Sequence, residues 1–99
     1  MKRPPAYRAA AVPADVSREL RRIPGVGAAM VADLYALGVR RVADLTSADP
    51  QALYDRLCAI SGVRQDPCVL YTFRCAVYFA STDKPETELL KWWNWKDRT

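Results

Sequence analysis

The five residues Ile23-Pro24-Gly25-Val26-Gly27 constrain this chain more than any other stretch. Proline lacks an amide hydrogen and biases the preceding Ile23 toward extended backbone, so no helix runs through it undisturbed. Two glycines within the next three positions supply a sharp reversal. Upstream, Val16, Leu20 and Ile23 recur at i, i+4 and i+7; downstream, Met30, Val31, Leu34 and Leu37 form one stripe. The pattern predicts a helix from about Asp15 to Arg22, capped by Asp15. A second follows from about Ala28 to Leu37, ended by Gly38 in the left-handed conformation.

Beyond Gly38, Val39, Val42 and Leu45 suggest a short helical turn around Arg41 to Leu45. Asp49-Pro50 and Asp66-Pro67 each place a capping carboxylate before a proline suited to the first helical position. The first pair opens a helix carrying Leu53, Leu57 and Ile60 that Gly62 ends. The second opens a helix to about Ala80 in which only Thr72 and Arg74 are strongly polar. A helix apolar all round is expected to be buried all round, as the central post of the core. At 99 residues and 51% hydrophobic content, the chain suits one all-α domain, a small bundle of about five helices spanning 15–99. Residues 1–14 form a flexible basic N-terminal arm.

Met1 to Ala14 contains three prolines and no long apolar run, so neither a signal peptide nor a membrane span is expected, and the sequence reads as cytoplasmic. Cys58, Cys68 and Cys75 are an odd set with no C-x-x-C spacing, and there is no histidine. They read as reduced, shielded small hydrophobes, and no metal or cofactor is expected. The net charge of +4 is unevenly placed: six basic residues face two acidic ones up to Arg22, and the remainder is balanced at nine each. The excess thus lies in the segment leading into the Pro-Gly reversal. That distribution suits nucleic acid, and equally a solvated tail.

The run from Leu20 through Ile23, Pro24, Gly25, Val26 and Gly27 to Val31 and Leu34 closely resembles the helix-hairpin-helix motif of DNA repair, replication and recombination proteins. In such a hairpin the amides of Gly25, Gly27 and the first turn of the second helix converge on one phosphate oxygen. The positive end of the helix dipole helps to hold it. A side chain at either glycine would hold the backbone away and resist the dihedrals of the turn. Phosphate contacts carry no base information, so the binding implied is independent of sequence and weak. Ala28 and Ala29 stand where many DNA-binding copies carry a cation, leaving Arg21, Arg22, Arg40 and Arg41 to supply charge. The candidate nucleic-acid site is therefore Arg21, Arg22, Pro24, Gly25, Val26, Gly27, Ala28, Arg40 and Arg41. An offset of 37 aligns Leu20, Ile23, Gly25 and Val26 with Leu57, Ile60, Gly62 and Val63, so a degenerate second hairpin, in a tandem or SAM-like arrangement, is one reading of the second half.

Over about Val16 to Asp97 the chain also resembles the pathogenicity-locus helix-hairpin-helix proteins, small bacterial proteins of which some carry the name mitomycin resistance. The resemblance rests on Ile23 to Gly27, Leu37-Gly38, Val42 to Leu45, Asp66 to Leu70, Phe73 to Ala80 and Lys91 to Trp95. It implies the fold and a link to DNA damage tolerance.

The tail interleaves Trp92, Trp93 and Trp95 with Lys91 and Lys96. Three indoles are too much apolar area to leave in water, so the tail is expected to fold back as a lid on the core. The same composition also serves single-strand binders, which stack bases on rings and neutralise phosphates. No enzyme is expected: there is no histidine, nucleophile elbow, P-loop or paired-carboxylate constellation, and no catalytic residue is assigned. Asp33, Asp44, Asp49 and Asp66 read as surface charges and caps. Cys68, near a helix N-terminus, is the only candidate nucleophile. Two functions follow: sequence-independent DNA binding as an accessory to repair or damage tolerance, or a helical module that docks on another protein. The sequence leaves the oligomeric state open.

Overall fold

The computed structural model of the chain describes residues 12–96. The basic arm falls outside the described residues except for its last positions. Four α-helices, α1 (Ala14–Leu20), α2 (Ala28–Ala36), α3 (Pro50–Ser61) and α4 (Pro67–Ser81), are joined by 3₁₀ turns at Val42–Leu45, Thr87–Leu90 and Trp92–Trp95, and no strand occurs among the described residues. The short helical turn expected around Arg41 to Leu45 is the 3₁₀ turn at Val42–Leu45, so the described residues hold four α-helices rather than about five. None of these helices is long and apolar enough to cross a membrane.

Local chemistry explains most of the boundaries. Asp49 accepts from the Gln51 amide at 3.0 Å and Asp66 from the Cys68 amide at 2.9 Å, each with proline at the first helical position. Gly38 ends α2 at φ +89, with Val39 N–H donating to Leu34 O and Gly38 N–H to Tyr35 O, both at 3.0 Å. This pair of bonds is the Schellman pattern, and buried Val39 completes it against buried Leu34. Helix α1 differs from expectation: it starts at Ala14, Asp15 lies in its first turn, and Pro13 precedes it with no side-chain cap. It stops at Leu20 because Arg22 N–H and Ile23 N–H bond three residues back, to Glu19 O and Leu20 O, tightening the chain before Pro24.

The core joins the first half of the chain to α3 and α4. Leu20, Ile23, Leu34, Leu45, Leu57 and Phe73 are essentially inaccessible. Helix α4 packs on α3, on all three 3₁₀ turns and so on more elements than any other helix, yet only Thr72, Phe73, Cys75 and Ala76 along it are buried. The expectation of a post buried on every side is corrected, because so few elements in a chain this small cannot surround a helix completely. Val69, Leu70, Val77 and Phe79 sit at half burial. The loop after Leu45 is pinned to the end of α4, with Thr46 Oγ1 donating to Ala80 O and Ser47 N–H to Ser81 Oγ.

The two halves agree only in part. Gly62, at φ +73, ends α3 in the left-handed conformation, as Gly25 turns the chain at +81. Ile23 is 1% exposed and Ile60 46%. Ile60 therefore leaves the apolar stripe to which its spacing assigned it, because no described residue buries that side of α3.

Candidate functional site

The reversal between α1 and α2 is built by a turn over Ile23 to Val26, in which Val26 N–H donates to Ile23 O at 3.2 Å. Pro24 and Gly25 take the central positions, and φ +81 at Gly25 is the value that a type II turn demands of its third residue. Ile23 and Val26 point into the core and fix the turn from below.

The two glycines do different work. A Cβ at Gly25 would lie 3.3 Å from Trp92 Cδ1, so the turn is seated directly against the C-terminal tail. Gly27 has φ −101 and ψ −169, extended backbone open to any residue, and a Cβ there would meet nothing within 4 Å. The expectation that both glycines answer a dihedral demand is corrected for Gly27, which instead leaves open space. Gly27 precedes α2, so the first amides of the helix point outward without intrahelical acceptors. No described residue accepts from the N–H of Gly27, Ala28 or Ala29.

The four arginines divide. The Arg21 side chain makes no hydrogen bond or ion pair with a described residue. Arg22 Nη1 is held by Glu19 Oε1 at 3.0 Å. Glu19 also accepts the Val42 N–H at 3.0 Å; that bond first, and then Arg22, hold its carboxyl below the usual range. Arg40 stacks 4.9 Å above the Tyr35 ring and donates to Gly38 O. Arg41 lies 3.7 Å from Asp44, whose carboxylate caps the following turn through the amides of Arg40 and Arg41. Arg40 and Arg41 border a cleft with Asp15, Val16 and Glu19, beyond the far end of α2. The structure therefore keeps Arg21, Arg22, Pro24, Gly25, Val26, Gly27 and Ala28 together along the turn, and Glu19, which pairs with Arg22 and also feels Arg41, brings Arg41 toward Arg22.

The tail folds back onto α4 in two 3₁₀ turns. Arg74 Nη1 donates to Trp95 O at 2.9 Å, and Trp95 Nε1 to Leu89 O at 2.8 Å. The Trp95 ring tilts against Tyr78 with centroids 5.3 Å apart. Trp92 and Trp95 are half-buried, whereas Trp93 is 56% exposed. The meeting of Trp92 with Gly25 had no signal in the sequence, because the two positions lie near opposite ends of the chain. Glu19 was likewise invisible as the link between α1 and the turn at Val42.

The other chemically suggestive side chains take ordinary places. Cys75 is buried, its thiol donating to Leu89 O, and burial pushes it up to about 11. Cys58 is half-buried and accepts the Gln65 amide. Cys68 is exposed, which corrects the expectation that all three thiols are shielded; it sits in the first turn of α4, where little packs. Its hydrogen bond with the Asp66 carboxylate raises the thiol above its ordinary value, the opposite of activation by a helix terminus. Asp33 is buried rather than at the surface. No cluster of three metal-ligating side chains forms among the described residues.

No solved structure matches the chain. Among curated proteins, the mitomycin resistance protein McrB of Streptomyces lavendulae is 36% identical over 59 residues, a region covering 60% of this chain and 56% of that relative. The chain thus spans little more than half the length of the relative it matches. Residues 14–99, from the first turn of α1 through the tryptophan tail, fit the family model of the pathogenicity locus, Cdd1, and the chain belongs to that family.

Proposed function

We propose that this chain binds DNA without regard to sequence, weakly, through a helix-hairpin-helix formed by α1, the turn at Ile23 to Gly27 and α2, as an accessory in DNA repair or damage tolerance. The observation that carries this reading is the open face at Gly27. Three consecutive amides with no acceptor among the described residues stand there at the positive end of a helix dipole, and a Cβ at Gly27 would meet nothing within 4 Å. Arg21, four residues before Gly25, supplies a cation that no described acidic side chain neutralises. The name of the relative, a mitomycin resistance protein, fits a role in tolerance of damage.

Gly27→Leu tests the reading cleanly. The backbone there is extended, so leucine is accommodated, while its bulk occupies the space a phosphate needs. Binding of single-stranded, duplex and branched DNA is titrated against salt, with circular dichroism confirming intact helices. Wild-type protein is expected at roughly 10⁻⁴ to 10⁻⁶ M, with Gly27→Leu abolishing binding to every sequence alike. Arg21→Ala should flatten the log-log salt slope by about 0.9, the value for one duplex phosphate contact. A Gly27→Leu variant that binds as well as wild type refutes the proposal. The competing reading, a module that docks on another protein, takes its support from the exposed apolar side chains Ile60 and Trp93, and it gains if no DNA binds at low salt.

A further inference from the structure

We infer that Trp93 is a stacking platform for an unpaired base, so that the DNA preferred by this chain contains single-stranded nucleotides. This rests on the hairpin reading above and names the substrate class of that site. Of the three tail indoles, Trp95 is consumed by packing on Tyr78 and by its bond to Leu89 O, and Trp92 is seated against Gly25. Trp93 alone remains 56% exposed. Its ring and that of Trp92 stand at 86° with centroids 5.7 Å apart, an edge-to-face pair. Such a pair occupies at most one π-face of Trp93, and a π-face is what a base stacks on.

The ring is also held in place before any ligand arrives. The turn that carries it is pinned by Arg74 Nη1 to Trp95 O and by Asn94 Nδ2 to Glu88 O at 2.7 Å. Little ordering entropy is then lost on binding. Through Trp92 the platform is continuous with the hairpin: Gly25 touches Trp92, and Trp92 touches Trp93. Lys91 is held by Glu88 at 3.0 Å, which leaves Lys96, next to Trp95 along the chain, and Arg21 at the turn as the charges that complement a phosphate backbone. A duplex offers its bases only as edges in the grooves, so it cannot use the Trp93 faces without unstacking.

The test uses the full chain with an oligo-dT of about 20 nucleotides, longer than a typical single-strand site, and a duplex of equal length at low salt. Anisotropy reads affinity, and intrinsic tryptophan fluorescence reads stacking. Trp93→Ala should weaken oligo-dT binding by about 5- to 150-fold, the usual range for losing one stacked base, and change duplex binding less than about twofold. Trp93→Phe should retain most of the affinity, and oligo-dT should quench wild-type fluorescence far more than it quenches the phenylalanine variant. Equal losses on both DNA forms, or no loss on either, overturn the inference while leaving the hairpin reading intact. Dependence on Trp93 without dependence on Gly27 supports stacking and refutes the hairpin contact. Absence of binding to every DNA overturns both, and makes Trp93 a protein contact.

Discussion

Gly25→Ala isolates what the turn requires. Its φ of +81 lies where an L side chain meets the following carbonyl, at a cost of about 1–2 kcal/mol. The added Cβ would also stand 3.3 Å from Trp92 Cδ1, so the indole must shift by a few tenths of an ångström. Because Trp92 is only half-buried, that shift adds about 1 kcal/mol, at the low end for an overpacked site. The expected total is about 2–3 kcal/mol, or roughly 10–20 °C in Tm for a domain of this size. Urea denaturation followed by far-UV circular dichroism measures the loss, and near-UV circular dichroism reports the displaced indole. Gly27→Ala is the control: its backbone is extended and its surroundings open, so it should stay within about 1 kcal/mol of wild type, with a weaker helix cap and lower unfolded-state entropy pulling in opposite directions. Combining Gly25→Ala with Trp92→Leu should recover the contact part and leave the backbone part. If Gly25→Ala is as stable as Gly27→Ala, both the positive φ and the Trp92 seat are wrong.

Phe73→Ala, at a fully inaccessible position on α4, should cost about 3–5 kcal/mol through lost burial and a residual cavity; an unchanged denaturation midpoint would place Phe73 outside the core. Thiol titration without denaturant should modify Cys68 first and Cys75 last, since one is exposed and the other buried with its thiol raised to about 11; rapid reaction of Cys75 would contradict its position. Glu19 is held below its ordinary value near 4.5 by the Val42 amide and Arg22, so its contribution to stability is present above that value and is lost as pH falls through the lowered folded one. Denaturation series at descending pH should therefore show a shallower acid limb in Glu19→Gln than in wild type, and identical limbs would refute the linkage.

Features set by adjacent residues were legible in the sequence. Asp49-Pro50, Asp66-Pro67, Gly38 and Gly62 each carry their own capping chemistry, and the helices begin and end where that chemistry dictates. The positions that depended on distant partners were not. Ile60 has the spacing of a core residue but faces water, Asp33 looks like a surface charge but is buried, and Cys68 lies on an apolar helix at a turn left uncovered. At the candidate site, the Pro-Gly turn was readable, since Pro24 and Gly25 specify their own dihedrals. The different duties of Gly25 and Gly27 were not, because one is defined by Trp92 and the other by empty space. That Arg22 and Arg41 both meet Glu19 was not readable either, because it depends on the bond from Val42 to Glu19, 23 positions apart.

The seat of Trp92 on Gly25 also orders the events of folding. Positions 25 and 92 close a loop that spans most of the chain, a contact that is entropically costly and must follow the local pairing of α1 with α2. Neither of the last two 3₁₀ turns contains a fully buried residue, so the tail should be the unit that detaches at the lowest free energy while the core stays folded. During synthesis the turn exists for a time without its Trp92 neighbour, which joins it only after α3 and α4 have been made. In the finished protein each excursion of the tail removes Trp92 from beside Gly25, so exchange of the Val26 amide, which the turn holds on Ile23 O, should follow the docking of the tail rather than global unfolding.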